Sequence, residues 1–229
     1  MHVPDGFLDA PTSLATGAVA VAGVSLALRG ARRELDDRTA PVAGLVATFV
    51  FAGQMINFPV GAGTSGHLLG GALAAVLAGP FTAVLCLSVV LLVQALFMAD
   101  GGITALGTNI TLMGLVGVFV GWLVFRGLRA VLPKRVSMVP PAAAVAALLS
   151  VPAAAGVFTL LFAVGGTAPI DTSTLLAAML AWHTVIGLGE AAITGLVVAS
   201  VVAVRPDLVH GARPLLTAHT LEIRPTVAP

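Results

Sequence analysis

Met1 and His2 are the residues whose types and spacing most directly define a chemistry. The α-amine of Met1, the deprotonated amide nitrogen of His2 and the His2 imidazole can close two fused chelate rings on one ion. Three nitrogens then lie in one plane, and a second histidine from elsewhere in the chain would complete a square. Tetragonal nitrogen donation of this kind suits Ni(II), Cu(II) or low-spin Co(II). The competing reading is a frayed, solvated terminus, the usual state of the first residues of a chain. The bulk of His2 disfavours removal of Met1, which keeps the amine available.

Whatever positions this terminus is a membrane structure. Of 229 residues, 58% are hydrophobic and 9% charged, and the mean hydropathy is +1.06. A soluble domain carries roughly 25% charged residues. The composition is that of an all-α integral membrane protein with several spans in a lipid bilayer. The single Cys86 lies in an apolar run, which leaves no disulfide framework and no cysteine-rich metal site. A net charge of +1 gives no sign of nucleic-acid binding. The segment before the first apolar run holds Asp5 and Asp9 but no Lys or Arg, the wrong charge for a signal peptide.

Breakers and charges divide the chain. Arg29, Arg32, Arg33 and Arg38 follow the first apolar run, and no Asp, Glu, Lys or Arg occurs from Thr39 to Ala99. As helix, that stretch would measure about 90 Å, or roughly three crossings of a ~30 Å core. The glycine-rich loop Phe58–Gly66 and the Gly79-Pro80 pair interrupt it. Helices are expected at about 10–28, 40–58, 67–79, 81–99, 104–125, 139–164 and 175–204. The short 67–79 segment is decided by charge parity. Basic loops at 29–38 and 126–135 both belong on the cytoplasmic side, so an even number of crossings must separate them. Seven transmembrane helices result, with the N-terminus outside and the C-terminus cytoplasmic. All 11 Lys and Arg fall inside. The expected organisation is one membrane domain over 1–204, opened by an N-terminal loop at 1–9, and a poorly ordered cytoplasmic tail at 205–229.

This topology gathers polar side chains in the outer half: Gln54, Asn57, His67, Gln94, Asn109 and His183, with Glu190 nearer the middle. Such residues normally face a bundle interior or a wet cavity, although each one alone could be a link between helices. As a set they predict a cup open to the outside, with these side chains supporting a site. His183 and Glu190, seven apart, share a helix face.

Two local patterns carry less weight. Gly61–Gly66 spells GxGxxG but lies in no βαβ unit, so it predicts no dinucleotide site. Gly63-Thr64-Ser65-Gly66 with His183 resembles the serine–histidine dyad of rhomboid intramembrane proteases. The sequence around His183 departs from that family's spacing, and the dyad leaves the N-terminal stretch unexplained.

Four blocks carry a broader resemblance: MHVPDGFL at the start, QMINFPVGAGTSGHLLGGALAAVLAGP at 54–80, FMADGGITALGTNITLMG at 97–114 and WHTVIGLGEAAITG at 182–195. From Met1 to about residue 204 the chain resembles the cobalt/nickel-specific substrate-capture subunits of energy-coupling-factor (ECF) transporters. The resemblance implies a seven-helix membrane protein of the prokaryotic inner membrane, whose N-terminus folds toward the bundle centre. It implies a site for Co(II) or Ni(II) made by the Met1 amine, the His2 amide and imidazole nitrogens and the His67 imidazole, the cation being cargo. It implies a transmembrane coupling subunit, ATPase subunits and a small membrane accessory subunit. That last partner is expected as a separate chain, because the tail from Arg205 holds no further apolar span. The loop Pro59-Val60-Gly61-Ala62-Gly63 departs from the arrangement common among relatives, which affects loop geometry but not the ligand count. A stand-alone secondary transporter is the other transport reading; such carriers usually show internal repeats, and none is evident here.

Overall fold

The computed structural model describes residues 1–37, 39–61 and 64–216, with the backbone alone at 58–61 and 64–65. Its helices are α1 (Ala10–Glu34), α2 (Ala40–Gln54), α3 (Gly71–Ala78), α4 (Pro80–Met98), α5 (Leu106–Val131), α6 (Val139–Gly165) and α7 (Thr172–Val204). Five of these regions are long and apolar enough to cross a membrane: α1, α4, α5, α6 with its lead-in from Val136, and α7. The chain is a multi-pass membrane protein. The second and third expected crossings correspond to shorter helices, so seven crossings do not follow from length and composition.

The sequence places the helix ends by ordinary means. Asp9 caps α1 by accepting from the Thr12 amide, and Asp171 does the same for α7 from Thr174. Both carboxyls are held below the usual range by these local bonds. Proline opens α2 and α4, where its missing N–H costs nothing. At the other end of α1, the buried Glu34 carboxylate accepts from the Phe81 and Thr82 amides and the Thr82 hydroxyl, so one helix end caps the start of α4.

Helix α3 lies at the centre, with all eight residues buried. A helix apolar on every side needs an apolar partner on every side, and α2, α4, α5, α6 and α7 all contact it. Its approach to α5 depends on glycine. A Cβ on Gly71 would stand 2.8 Å from the Gly117 carbonyl carbon, and one on Gly121 would stand 2.7 Å from the Ala72 Cβ. Helices α6 and α7 form the most extensive helix pair in the molecule.

Three expectations are corrected. Phe58–Gly66, read as a loop, contains a two-stranded antiparallel hairpin, Phe58–Gly61 with Thr64–Gly66, in the register Phe58↔Gly66. Pairing satisfies backbone groups that an apolar setting would leave bare. The third helix begins at Gly71 rather than 67, because residues 67–70 form a non-helical approach ending at Gly70 with φ +76°. Residues 205–216, expected to be poorly ordered, are packed. The His210 and Gly211 amides donate to the Leu77 and Val76 carbonyls at the end of α3, 3.0 and 2.9 Å. Val209 and Ala212 are fully buried, and His210 lies against Trp122. The short strap thereby supplies the partners that the last carbonyls of α3 lack within their own helix. The rest of the expected tail, 217–229, lies outside the described residues.

Candidate metal centre

The N-terminal segment is the reverse of a frayed end. Met1 and Val3 are 1% exposed and His2 is 7% exposed. Three polar contacts clamp Val3: its N–H donates to Asn109 Oδ1 (2.7 Å), and its carbonyl accepts from Asn109 Nδ2 (3.1 Å) and the Gly102 amide (2.9 Å). Asp5 accepts from the Thr104 amide (2.7 Å) and hydroxyl, which holds its carboxyl below the ordinary range. Phe7 packs against Phe158 and Phe162. The Thr167 amide donates to the Phe7 carbonyl, and the Asp9 amide to that of Gly165. The segment is thus tied to the start of α5 on one side and the end of α6 on the other.

This places the Met1 nitrogen 2.6 Å from His67 Nε2, across 66 residues of sequence. The His67 ring stacks on the His2 ring, with centroids 4.4 Å apart. His67 Nδ1 lies 2.7 Å from the Leu68 carbonyl oxygen. That oxygen can only accept, so Nδ1 carries the proton and Nε2 presents a lone pair, as a ligating histidine must. Met1 precedes the first span, and burial pushes its amine down from 8.0 to about 4, opposed in part by the Asp100 and Glu190 charges. At neutral pH the amine is therefore uncharged and also has a free lone pair.

Around these three residues stands a polar frame. His2 Nε2 is 3.1 Å from Gln94 Oε1, and His2 Nδ1 is at ion-pair distance, 3.0 Å, from Asp100 Oδ1. The imidazole beside it holds the Asp100 carboxyl below the usual range. Asn57, itself exposed, donates to the other Asp100 oxygen at 3.4 Å. Gln94 opens a π-helical turn, Gln94–Met98, and Asn109 immediately precedes a π-helical stretch, Ile110–Gly117. Such widened turns recur at functional sites, and here they flank the two side chains that grip His2 and Val3. Gly101, at φ +88°, lies beneath His2; a Cβ there would sit 3.0 Å from Asn109 Nδ2 and 3.2 Å from His2 Cδ2.

A second set holds the His67 side. Gln54 Nε2 donates to the Leu69 carbonyl at 2.9 Å. Glu190 accepts from the Leu69 and Gly70 amides. Among the residues expected at the site, Met1, His2 and His67 meet directly. Gln54, Asn57, Gln94, Asn109 and Glu190 frame them. His183 stands apart from these recorded bonds: its Nδ1 donates back to the Met179 carbonyl at 2.8 Å, and its Nε2 has no hydrogen-bond partner among the described residues. Ser65 lies on a strand rather than at a helix start, so the backbone arrangement that the protease reading requires is missing.

Asp100, Gly101, Gly102 and the Asp5–Thr104 pair were missed as site residues. One signal was available: Asp100-Gly101-Gly102 ends the long uncharged run six residues after Gln94. A carboxylate and a glycine pair at the mouth of the expected cup mark a close backbone approach.

Fold and centre together define a multi-pass membrane protein with a buried cluster of nitrogen donors, the Met1 amine and the His2 and His67 imidazoles. The chain belongs to the family described as the cobalt uptake substrate-specific transmembrane region, whose profile matches residues 2–208. It is 38% identical to a putative metal transport protein of Haloquadratum walsbyi, over 91% of this chain and 93% of that one. It is also 38% identical to a putative fused nickel transport protein of Archaeoglobus fulgidus, over 92% of this chain and 68% of that one. A cobalt transport protein of Geobacter sulfurreducens is 40% identical over 56% of this chain and 38% of its own length. Among solved structures, a truncated transition metal transporter superposes with a TM-score of 0.79 at 32% identity, covering 89% of this chain and 99% of that one. Family members transport cobalt and nickel; they are transport proteins and not enzymes.

Proposed function

We propose that this chain is the substrate-capture subunit of an ATP-driven, ECF-type uptake transporter for divalent cobalt or nickel. One ion is held in a square of four nitrogens: the Met1 amine, the His2 amide and imidazole, and His67 Nε2. The observation that carries this reading is the buried approach of the Met1 amine to His67 Nε2 at 2.6 Å. Binding releases at least one proton, because the His2 amide must be deprotonated. In this reading α2 and α3 supply the second and third of seven crossings, the N-terminus enters the bundle from outside, and the strap lies on the cytoplasmic side. A transmembrane coupling subunit, paired ATPase subunits and a separate small membrane subunit complete the transporter in the prokaryotic cell membrane. ATP hydrolysis by the partners reorients this subunit and opens the square.

The test is metal binding by purified protein with its native terminus and with one extra residue ahead of Met1. The added residue moves the amine away while keeping every side chain. Collapse of Co(II) and Ni(II) binding is expected, and unchanged binding overturns the proposed ligand set. Uptake in cells lacking the ATPase subunits separates the coupled reading from a stand-alone carrier: accumulation should stop, and sustained accumulation overturns ATP coupling.

A further inference from the structure

Glu190 has no place in the four-nitrogen square, yet it is 1% exposed on an apolar helix. A carboxylate is retained in such a setting only with strong partners. Its partners are two backbone amides 120 residues away, Leu69 N–H and Gly70 N–H, the latter at 3.2 Å. These belong to the four-residue approach that carries His67 into α3.

A neighbouring cavity shows why the approach needs such a hold. A space of about 580 Å³ opens between α2 and α7, lined by Phe49, Gly53, Ile56, Leu68 and Ile186, with His67 and Glu190 also on its wall. On that side the His67–Leu68 segment borders the cavity, so part of its hold there comes from polar bonds rather than from packing. Its recorded polar ties to the rest of the bundle, apart from the Met1 contact, are the two bonds to Glu190 and the bond from Gln54 to the Leu69 carbonyl. Glu190 stands on α7, which packs along the length of α6. The α6–α7 pair thus reaches the segment that carries His67 through one carboxylate.

We infer that Glu190 is a positioning residue for the fourth ligand: by gripping the Leu69 and Gly70 amides it holds His67 Nε2 at the open corner of the square. This deepens the proposed metal-capture function and rests on it. Glu190 has no recorded bond to the Met1 amine or to either imidazole; its charge reaches the amine through space, and its bonds reach the centre through the residues that follow His67.

The experiment is a double-mutant cycle on purified full-length protein, using Ni(II) alone as the probe. Glu190→Gln keeps the volume but turns one acceptor into a donor facing the amides. Affinity should fall by about 10- to 100-fold, the usual cost of losing a residue that orients a metal ligand. The d–d absorption should move to longer wavelength as water replaces imidazole at one corner. In a His67→Ala background, Glu190→Gln should leave the spectrum unchanged and lower affinity far less, only the through-space effect of its charge on the Met1 amine remaining. Glu190→Asp keeps the charge but shortens the reach, and should give a smaller shift in the same direction. If Glu190→Gln acts equally with and without His67, or leaves the spectrum unchanged while His67→Ala moves it, the positioning role is overturned. Failure of both Glu190 variants to fold also overturns it, since the carboxylate is then scaffold. If His67→Ala itself leaves Ni(II) binding intact, the four-nitrogen reading fails instead.

Discussion

At the scale of residues, the centre is a backbone problem before it is a side-chain problem. Two of the four proposed nitrogens belong to the main chain, so affinity depends on how firmly Val3 is held. Asn109→Ala removes two bonds to Val3 and strips a buried N–H of its acceptor. Such a loss costs about 1–3 kcal/mol, so Ni(II) affinity should fall about tenfold or more, measured by competition with a chelator. Gly101→Leu should weaken binding too, by pushing on Asn109 and the His2 ring. Proton release reports the state of the Met1 amine. Its burial-lowered value of about 4 means that it is already neutral at pH 7.5. The amide then gives up its proton as the ion binds, and the amine gives none. Calorimetry in buffers of different ionisation heat should count about one proton per ion, with affinity rising as pH rises. A count near two would mean that the apo amine is charged.

Met1 and His2 were legible as candidate donors because their geometry follows from position in the chain, and the structure buries both beside His67. The frame was legible as a set, since uncharged polar residues in apolar helices have few places to go. Asp100 and the Asp5–Thr104 pair were not, because a carboxylate in a loop looks the same whether it faces water or an imidazole. His183 was placed on the Glu190 face from its spacing; its Nδ1 donates to its own helix, which leaves Nε2 as an acceptor without a hydrogen-bond partner among the described residues.

At the scale of elements, charge-free runs and breakers revealed the long helices, while the stretch from 54 to 79 resisted reading. Its glycines serve a hairpin, a left-handed turn and a close helix contact in quick succession, and composition cannot separate these uses. The contact can be tested. Gly71→Val meets the α5 backbone, which has no flexible end to move aside, so a loss of about 1–3 kcal/mol is expected. It should appear as a lower unfolding temperature in detergent. Gly127→Ala, whose added Cβ meets nothing within 4 Å, should be neutral or slightly stabilising.

At the scale of the whole molecule, charge asymmetry makes the proposed orientation testable. Cys86 is buried, so new surface thiols stand out. A cysteine replacing Asp171 should react with a membrane-impermeant reagent on intact cells, and one replacing Lys134 only after permeabilisation; the reverse pattern would invert the topology. The strap below α3 was illegible because it forms no apolar run and buries only small anchors. Val209→Asp would place a carboxylate where a fully buried side chain stands. A loss of about 2 kcal/mol or more is expected, with no residue of the centre altered.

The eight wholly buried residues of α3 also bear on how the protein is made. At about 12 Å the helix is too short to enter a bilayer as an independent span. It must settle among neighbours, and α6, α7 and the strap are synthesised after it. The turn bearing His67 therefore takes its final position only when the late helices arrive. The proposed partner of the Met1 amine and the His2 imidazole is therefore set in place near the end of synthesis, once α7 and its Glu190 have joined the bundle.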